Sequence, residues 1–479
     1  MSDATPFTLV DFGSTFTKVR VVDVGGEILG SSQHRTTVDG DVMDGLRSAL
    51  EALEGSGAEP TAERMFACSS AGGGLKMGVV GLVEDLTAEA ARQAALGAGA
   101  RTLGVVSGGL GGAAAARRLL AEGPDIVLLV GGTDGGDRES LAASARALAQ
   151  AAPRVPVVLA GNVDAQPDAE SVLCAAGVHV VRTENVMPEI GRFVPEPARA
   201  TIRELFISHV IGGKLGGASA EALERLVQMA TPDAALRGVE VLASVLAEQG
   251  RPGGVIAVDV GGATTDVHSW VPEVAAPGYK HPLLPQSRLA RTVEADLGVR
   301  WNAPGIVAAG GEEGLLDPDR AEALGVAAEL RASDPGYLPA DQEGEELDRE
   351  LAGLAIAVAL RRHAGCRRVA LTAEGAVLRH DGRDLAEVPV LVALGGVLRG
   401  MGAADLAASL SSAHRGREER LLPRCAAFAI DRRGAITAAG LLAGTDLEAA
   451  RRLLATESRR FSEATSRQNE EVNDVNIAS

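Results

Sequence analysis

The sequence predicts an α/β protein of several domains, and three observations carry that expectation. Apolar strand-like runs alternate with Ala-rich helical stretches through the second quarter of the chain, the rhythm of parallel βαβ units. Glycine is abundant, 59 of 479 residues, and follows no three-residue period, so it belongs to turns and close helix–sheet packing and not to a collagen-like repeat. Hydrophobic residues make up 46% of the chain and aromatic ones only 3%, so a sizeable core must be built from Ala, Val, Leu and Ile. At ~150 residues per domain the length accommodates roughly three domains.

The elements follow in order. Phe7–Val10 is a short apolar run that ends in Asp11-Phe12-Gly13-Ser14-Thr15. Lys18–Val24 and Glu27–Ser32 flank Gly25-Gly26, the signature of a β-hairpin. A helix over 41–53 and a strand over 64–68 complete the first block, which closes on Ser69-Ser70-Ala71-Gly72-Gly73-Gly74. Strands at 102–107, 125–130, 155–160 and 178–181 then alternate with helices near 111–121, 138–151 and 168–176. Right-handed crossovers make this a doubly wound sheet inserted in the chain. A helical stretch near 219–249 leads to a strand over 254–260, which ends in Asp259-Val260-Gly261-Gly262-Ala263-Thr264-Thr265-Asp266. A polar, Pro-containing excursion follows. Leu347, Leu351, Leu354, Ala355 and Val358 then recur at helical spacing over 344–363. Strands at 369–371 and 388–392, a Gly395-Gly396 turn into a helix, and a strand–turn–helix over 427–442 complete the last block. Beyond about 456 the chain is polar and is expected to be disordered.

Composition excludes several classes. The formal charge is −18 and no long basic run occurs, which argues against nucleic acid or an anionic membrane as partner. No stretch of about 18 apolar residues is present, and the N-terminus lacks a positive region followed by an apolar one, so neither a span nor a signal peptide is expected. Cys68, Cys174, Cys366 and Cys425 lie far apart without a CxxC pair. Buried free thiols in a reducing cytoplasm are therefore expected, and not a zinc site or a disulfide framework.

Two segments carry the chemistry. Thr8–Thr15 and Ile256–Thr265 are each a strand, an Asp at its end, a Gly-rich turn and hydroxyl residues. Turn glycines let backbone N–H groups approach a phosphate, and hydroxyls add hydrogen bonds to its oxygens. Each Asp places a carboxylate where a hydrated Mg²⁺ would sit. A strand-end Asp-Gly is often only a turn, but two such segments, one in each half, can clamp a triphosphate from both sides. Val392–Leu398, a strand, Gly395-Gly396 and a helix start, could lay a base and ribose against backbone.

The set DxGxTxxK, DxGGxTTD and GGVL resembles the two phosphate loops and the adenosine motif of the actin-like ATPase superfamily, which also holds sugar kinases and heat-shock chaperones. Segments 69–74 and 435–442 look like its two hinge-forming connecting motifs. The resemblance implies two RNase-H-like domains closing on Mg-ATP. It matches Asp11 and Asp259 to metal-organising carboxylates, and Gly13, Ser14, Thr15, Gly261, Gly262, Thr264 and Thr265 to the phosphate grip. Lys18 matches a position that reaches the phosphates, Asp266 a carboxylate near the attacking water, and Gly395 and Gly396 the adenosine site. It places a first RNase-H-like domain at 1–84, an inserted βαβ domain at 85–210 and a helical connector at 211–252. A second RNase-H-like domain follows at 253–455 with an insertion near 275–350, then the tail at 456–479.

The wording of 68–77 (CSSAGGGLKM), 291–303 (RTVEADLGVRWNA) and 362–365 (RHAG) is similar to the glutamate mutase accessory family, called MutL or GlmL. That likeness reaches to about residue 455, and it implies an ATP-driven reactivase for an adenosylcobalamin-dependent mutase, glutamate mutase above all. A small-molecule kinase of the same fold, a nucleotide-dependent actin-like scaffold and an ATP-dependent hydantoinase-like hydrolase remain alternatives. No spacing singles out the general base that a kinase would need. Among the remaining motifs, Gly131–Asp137 could bind phosphate, cofactor or protein, or be a Gly-rich turn with Asp137 as helix N-cap. Lys214 imitates a phosphate loop without the required spacing, and a hinge fits it better. Arg361, Arg362, Arg367 and Arg368 read as caps of a helix C-terminus. His209 and His268 read as structural.

Overall fold

A computed structural model describes residues 5–13, 15–37, 41–55, 57–70, 75–81, 100–107, 111–190, 192, 194–206, 220–272, 288–334, 336–372 and 375–461. The chain divides into two compact units. The first takes Met1–Val21 and Leu29–Ala234, the second Val22–Ile28, Ala235–Pro282 and Gln286–Ser479.

The strands of the first half are β1 (Phe7–Phe12), β2 (Phe16–Val22), β3 (Ile28–Arg35), β4 (Met65–Ser69), β5 (Leu75–Gly81), β6 (Ala100–Ser107), β7 (Ile126–Leu129), β8 (Val157–Leu159), β9 (Val180–Arg182) and β10 (Val227–Ala230). They build two five-stranded sheets. One has the order β10-β4-β1-β2-β3, with β1 parallel to β4 and β4 to β10. The other, β6-β5-β7-β8-β9, is parallel throughout. All strands of the parallel sheet lie in sequence between β4 and β10, which pair with each other in the first sheet. β5 falls before the expected 84/85 boundary, yet it pairs with β6 and β7 near the middle of the parallel sheet. Its Leu75, Met77, Val79 and Val80 are buried, which suits a strand covered on both faces. β10 lies inside the stretch read as wholly helical. Four residues between two helices, Ala220–Leu226 and Thr231–Glu248, are too few to show a period of their own.

The second unit holds β11 (Val255–Val260), β12 (Thr265–Trp270), β13 (Leu289–Glu294), β14 (Cys366–Thr372), β15 (Gly375–Asp381), β16 (Val390–Leu394) and β17 (Ala427–Ile430). Its main sheet has the order β13-β12-β11-β16-β17. Here β11 is antiparallel to β12 and parallel to β16. Counted from β1 and from β11, both mixed sheets place their strands as third, second, first, fourth and fifth. The central strands read as near-continuous apolar runs, FTLVDF and VIAVDV, because both faces are covered. In each, the Asp at the end is the polar exception.

Helices pack against this sheet. Gln342–His363 starts at Asp341, whose carboxylate accepts from the Gly344 N–H at 2.8 Å, and buries most of its length with Leu351, Ile356 and Val358 in the core. The excursion that precedes it contains two helices, Ala303–Glu312 and Pro318–Ser333. Arg361 and Arg362 are not simple caps. Arg361 is fully buried and bonds Glu313 at 2.7 Å, and Arg362 pairs with Glu294 and Asp296, each at 2.8 Å. His363 is tied to Ser269 at 2.7 Å and Thr292 at 3.0 Å, and burial pushes it well below the usual imidazole range. His268 is also buried and lowered by the same cause, so it is a core residue. His209 and Lys214 lie outside the described residues.

Three details differ from the sequence reading. The last helix covers 447–461, past the expected 455 limit. Its end is held by polar contacts that carry no hydrophobic pattern: buried Glu457 pairs with Arg433 at 2.8 Å, and Ser458 bonds Gln249 at 3.0 Å. Cys68 and Cys366 are buried free thiols, but Cys174 and Cys425 are exposed. The boundary between the units falls at Ala234/Ala235, inside the helix Thr231–Glu248. Within the second unit that helix meets Ala435–Leu442 at Gly238, where a Cβ would stand 1.9 Å from the Ile436 carbonyl oxygen. The 69–74 segment proposed as the partner hinge is described only at Ser69 and Ser70. No helix among the described residues is long and apolar enough to cross a membrane.

Candidate functional site

Each mixed sheet carries half of the expected site at the end of its central strand, and each half is described on its own. In the first unit, Asp11 lies at the end of β1 and is only 6% exposed. Thr231 Oγ1 donates to its Oδ1 at 2.7 Å, and Lys18 Nζ donates to its Oδ2 at 3.4 Å. The Cys68 thiol also approaches Oδ1, at 3.7 Å, and burial together with the Asp11 charge holds that thiol protonated, well above its ordinary range. Asp11 is thereby fixed in one rotamer, with Oδ2 on the half-exposed side beside a lysine. Lys18, expected to reach the phosphates, is paired here with the Asp11 carboxylate.

The following turn is braced from β3. Gly13 donates its N–H to the Phe16 carbonyl at 3.1 Å, and its own carbonyl accepts from Thr36 Oγ1 at 2.8 Å. The Thr36 N–H takes the Thr15 carbonyl at 2.9 Å. Thr15 is exposed. Ser14 lies outside the described residues.

In the second unit, Asp259 stands at the end of β11, directly opposite Asp266 on β12 and next to Leu394 on β16. Gly261 closes the turn by donating to the Thr264 carbonyl at 2.9 Å. Among the described residues, the N–H groups of Gly262 and Ala263 find no acceptor. Thr264 is part-exposed and shares a 3.3 Å hydrogen bond with Asp266 Oδ2.

Three expected roles change. Thr265 is fully buried and donates to the Leu297 carbonyl at 2.6 Å, so it ties β12 down and offers no hydroxyl to phosphate. Thr265 is the first residue of β12 and points into the core, while Thr264 lies in the turn before it. Asp266 is held by Arg291, whose side chain is 4% exposed: Nε donates to Oδ1 at 2.8 Å and Nη2 stands 2.5 Å from it. With both oxygens engaged, Asp266 helps to hold the loop. Gly395 is a packing glycine: its φ is +120°, and a Cβ there would lie 2.3 Å from the Val260 carbonyl oxygen. At Gly396 a Cβ would meet open space.

In the loop after β7, several polar groups are turned to the protein itself. Asp137 caps the next helix through the N–H of Glu139 at 2.9 Å, and it also bonds the Ser140 hydroxyl. The Gly135 N–H is spent on Asp164 at 3.0 Å, the Asp134 N–H on the Pro188 carbonyl at 3.0 Å and the Gly136 N–H on Thr133 at 3.0 Å. Buried Asn162 and Asn185 lock the loop from beneath. These three N–H donors are consumed amid carboxylates and are not offered to an anion.

Sequence reasoning missed Thr231, Thr36, Arg291 and Asn302. Thr231 and Thr36 are unremarkable in their own segments, and Arg291 and Asn302 lie in the distinctive 291–303 segment, to which no role was attached. Among the described residues no three His, Cys, Asp or Glu converge as a metal-binding group.

The model of the MutL protein family matches residues 7–458. "Protein MutL" of Clostridium tetanomorphum is 37% identical over 446 residues, covering 91% of this chain and 96% of that protein. Among solved structures, the ATP-dependent caprolactamase of Pseudomonas jessenii superposes with a TM-score of 0.35 at 14% identity, over 91% of this chain and 70% of that one. The activator of the 2-hydroxyisocaproyl-CoA dehydratase of Clostridium difficile, with bound ADPNP, does so with a TM-score of 0.26 at 11% identity, over 97% and 98%.

Proposed function

The chain belongs to the MutL protein family, and from that premise we propose that it is an ATP-binding, slowly ATP-hydrolysing accessory protein that reactivates an adenosylcobalamin-dependent mutase, glutamate mutase being the first candidate. The observation that carries the reading is the family match itself: it runs from 7 to 458 and so takes in both Asp-Gly loops. The two mixed sheets of common strand order are read as a pair of RNase-H-like domains, and the parallel sheet as the inserted domain.

In this reading the N–H groups of Gly262 and Ala263 and the hydroxyls of Ser14, Thr15 and Thr264 grip the phosphates. Asp11 and Asp259 organise Mg²⁺. The donor set fits that ion, because a hard cation that keeps most of its waters needs few carboxylates and takes its remaining oxygens from phosphate. When bound, Mg²⁺ would neutralise charge building on the phosphates during transfer to water. The chain's own residues do the rest: Thr231 and Cys68 hold Asp11, Arg291 holds Asp266, and Gly396 leaves room for the adenosine. A grip that depends on the terminal phosphate is a switch, released on hydrolysis. Such a switch can open a partner and let a damaged cofactor exchange.

The test is direct. Purified protein is mixed with glutamate mutase that carries an inactive cobalamin, and release of that cobalamin is followed after adding Mg-ATP. Release that requires ATP, and that Asp259→Ala does not support, is the expected result. ATP hydrolysis without release would move the assignment to another mutase or to a kinase of the same fold.

A further inference from the structure

The segment RTVEADLGVRWNA, residues 291–303, has no chemistry of its own, yet it lies against the second phosphate loop and takes up that loop's carbonyls one after another. The Val299 N–H donates to the Gly261 carbonyl at 3.1 Å. The N–H groups of Arg300 and Trp301 both donate to the Gly262 carbonyl at 2.9 Å. The Asn302 side-chain amide donates to the Ala263 carbonyl at 2.8 Å and, with the same nitrogen, to Ala295 at 2.8 Å. Gly298 completes the fit, since a Cβ there would stand 2.3 Å from the Ala263 carbonyl carbon.

This has a geometric consequence. No cis peptide occurs among the described residues, so in each peptide unit the C=O and the N–H of the next residue point in opposite directions. Three carbonyls drawn to one side send the N–H groups of Gly262, Ala263 and Thr264 to the other. A flexible Gly-Gly turn would otherwise sample both orientations. The brace is itself anchored. Arg300 bonds Asp348 at 2.7 Å, and Asp348 also accepts from Arg331 Nε at 2.5 Å, with Arg331 1% exposed.

We infer that Asn302, with the backbone of Val299–Trp301, is a positioning element that presents the N–H face of Gly262–Thr264 to the phosphate chain of a nucleotide. The inference rests on the nucleotide reading and deepens it. Asn302 touches no reacting atom; it acts through the loop. It also predicts a selectivity: the brace contributes to phosphate recognition and not to recognition of the nucleoside.

The experiment compares ATP and adenosine binding by calorimetry in the wild type and in Asn302→Asp, which keeps the shape but replaces the amide donor with an acceptor facing two carbonyls. Loss of an aligned hydrogen-bonding loop is expected to weaken ATP by roughly tenfold or more, while adenosine changes by less than about twofold. Asn302→Ser, which retains one donor, is expected to fall between, and it carries the same comparison if the Asp variant does not fold. Equal ATP affinity in wild type and variants overturns the brace alone. An equal loss of ATP and adenosine overturns it too, because general damage to the unit would then explain both. A wild type that binds adenosine and ATP alike, or neither, overturns the nucleotide reading and the brace with it.

Discussion

Asp259→Ala is expected to abolish Mg²⁺-dependent ATP hydrolysis, with kcat falling by at least ~10²-fold. The residue ends the buried strand β11, at the point where the chain turns into Gly261-Gly262, and it faces Asp266 across the β11–β12 pair. In the proposed function this carboxylate organises Mg²⁺, and it lies three residues before the Gly262 N–H. Asp259→Asn, which preserves the shape, is expected to lose the same activity, since the ion requires the charge. Release of phosphate measured with and without Mg²⁺ checks both variants. Turnover like that of the wild type in either would remove Asp259 from the site.

The second large effect is one of stability. Arg361 is fully buried and satisfies three acceptors: Glu313 at 2.7 Å, the Ala413 carbonyl at 2.8 Å and the Glu418 carbonyl at 3.0 Å. Gly416 lies so close that a Cβ would be 2.2 Å from the guanidinium carbon. Arg361→Met keeps much of the volume but leaves a carboxylate and two carbonyls without their donor. Removing one partner of a buried pair costs about 3–5 kcal/mol. The lower end is expected here, near ~3 kcal/mol, because the Glu313 side chain keeps 21% of its surface in water and can be partly rehydrated. Denaturant unfolding of the intact chain measures the loss. A change below ~1 kcal/mol would show that Arg361 is a replaceable cap, as its place at a helix end suggested.

Much of the architecture was legible because it rests on local pattern. Buried central strands read as unbroken apolar runs, and the Asp-Gly ending of each recurs after β1 and β11. The alternation of the parallel sheet was visible from β6 onward. What escaped was whatever depends on long-range pairing. β5 looks like the end of the first block until β6 and β7 take it into their sheet, and β10 hides between two helices. Within the site, hydroxyl count misled: Thr265, the first residue of β12, is buried against the Leu297 carbonyl, while its neighbour Thr264 lies in the turn and stays part-exposed. Gly395 was read as a surface for adenosine, but its backbone angle and its contact with Val260 make it a packing position. Thr231 donates to Asp11 across 220 residues of sequence, and no motif marks it. Asn302 reaches Ala263 across 39, from a segment whose wording was distinctive and whose purpose was not.

The most direct measurement on the central claim is a calorimetric titration of ATP into the wild type and into Asp11→Asn, each with saturating Mg²⁺ and with none. Asp11 is fixed by Thr231, Cys68 and Lys18, so the change removes a charge from a held position without reshaping the strand. The wild type is expected to bind ATP more tightly with Mg²⁺, and Asp11→Asn to lose that gain while its Mg²⁺-free affinity stays within about twofold. A variant that keeps the full Mg²⁺-dependent gain, or a wild type that shows none, would contradict a metal–nucleotide site built on this carboxylate.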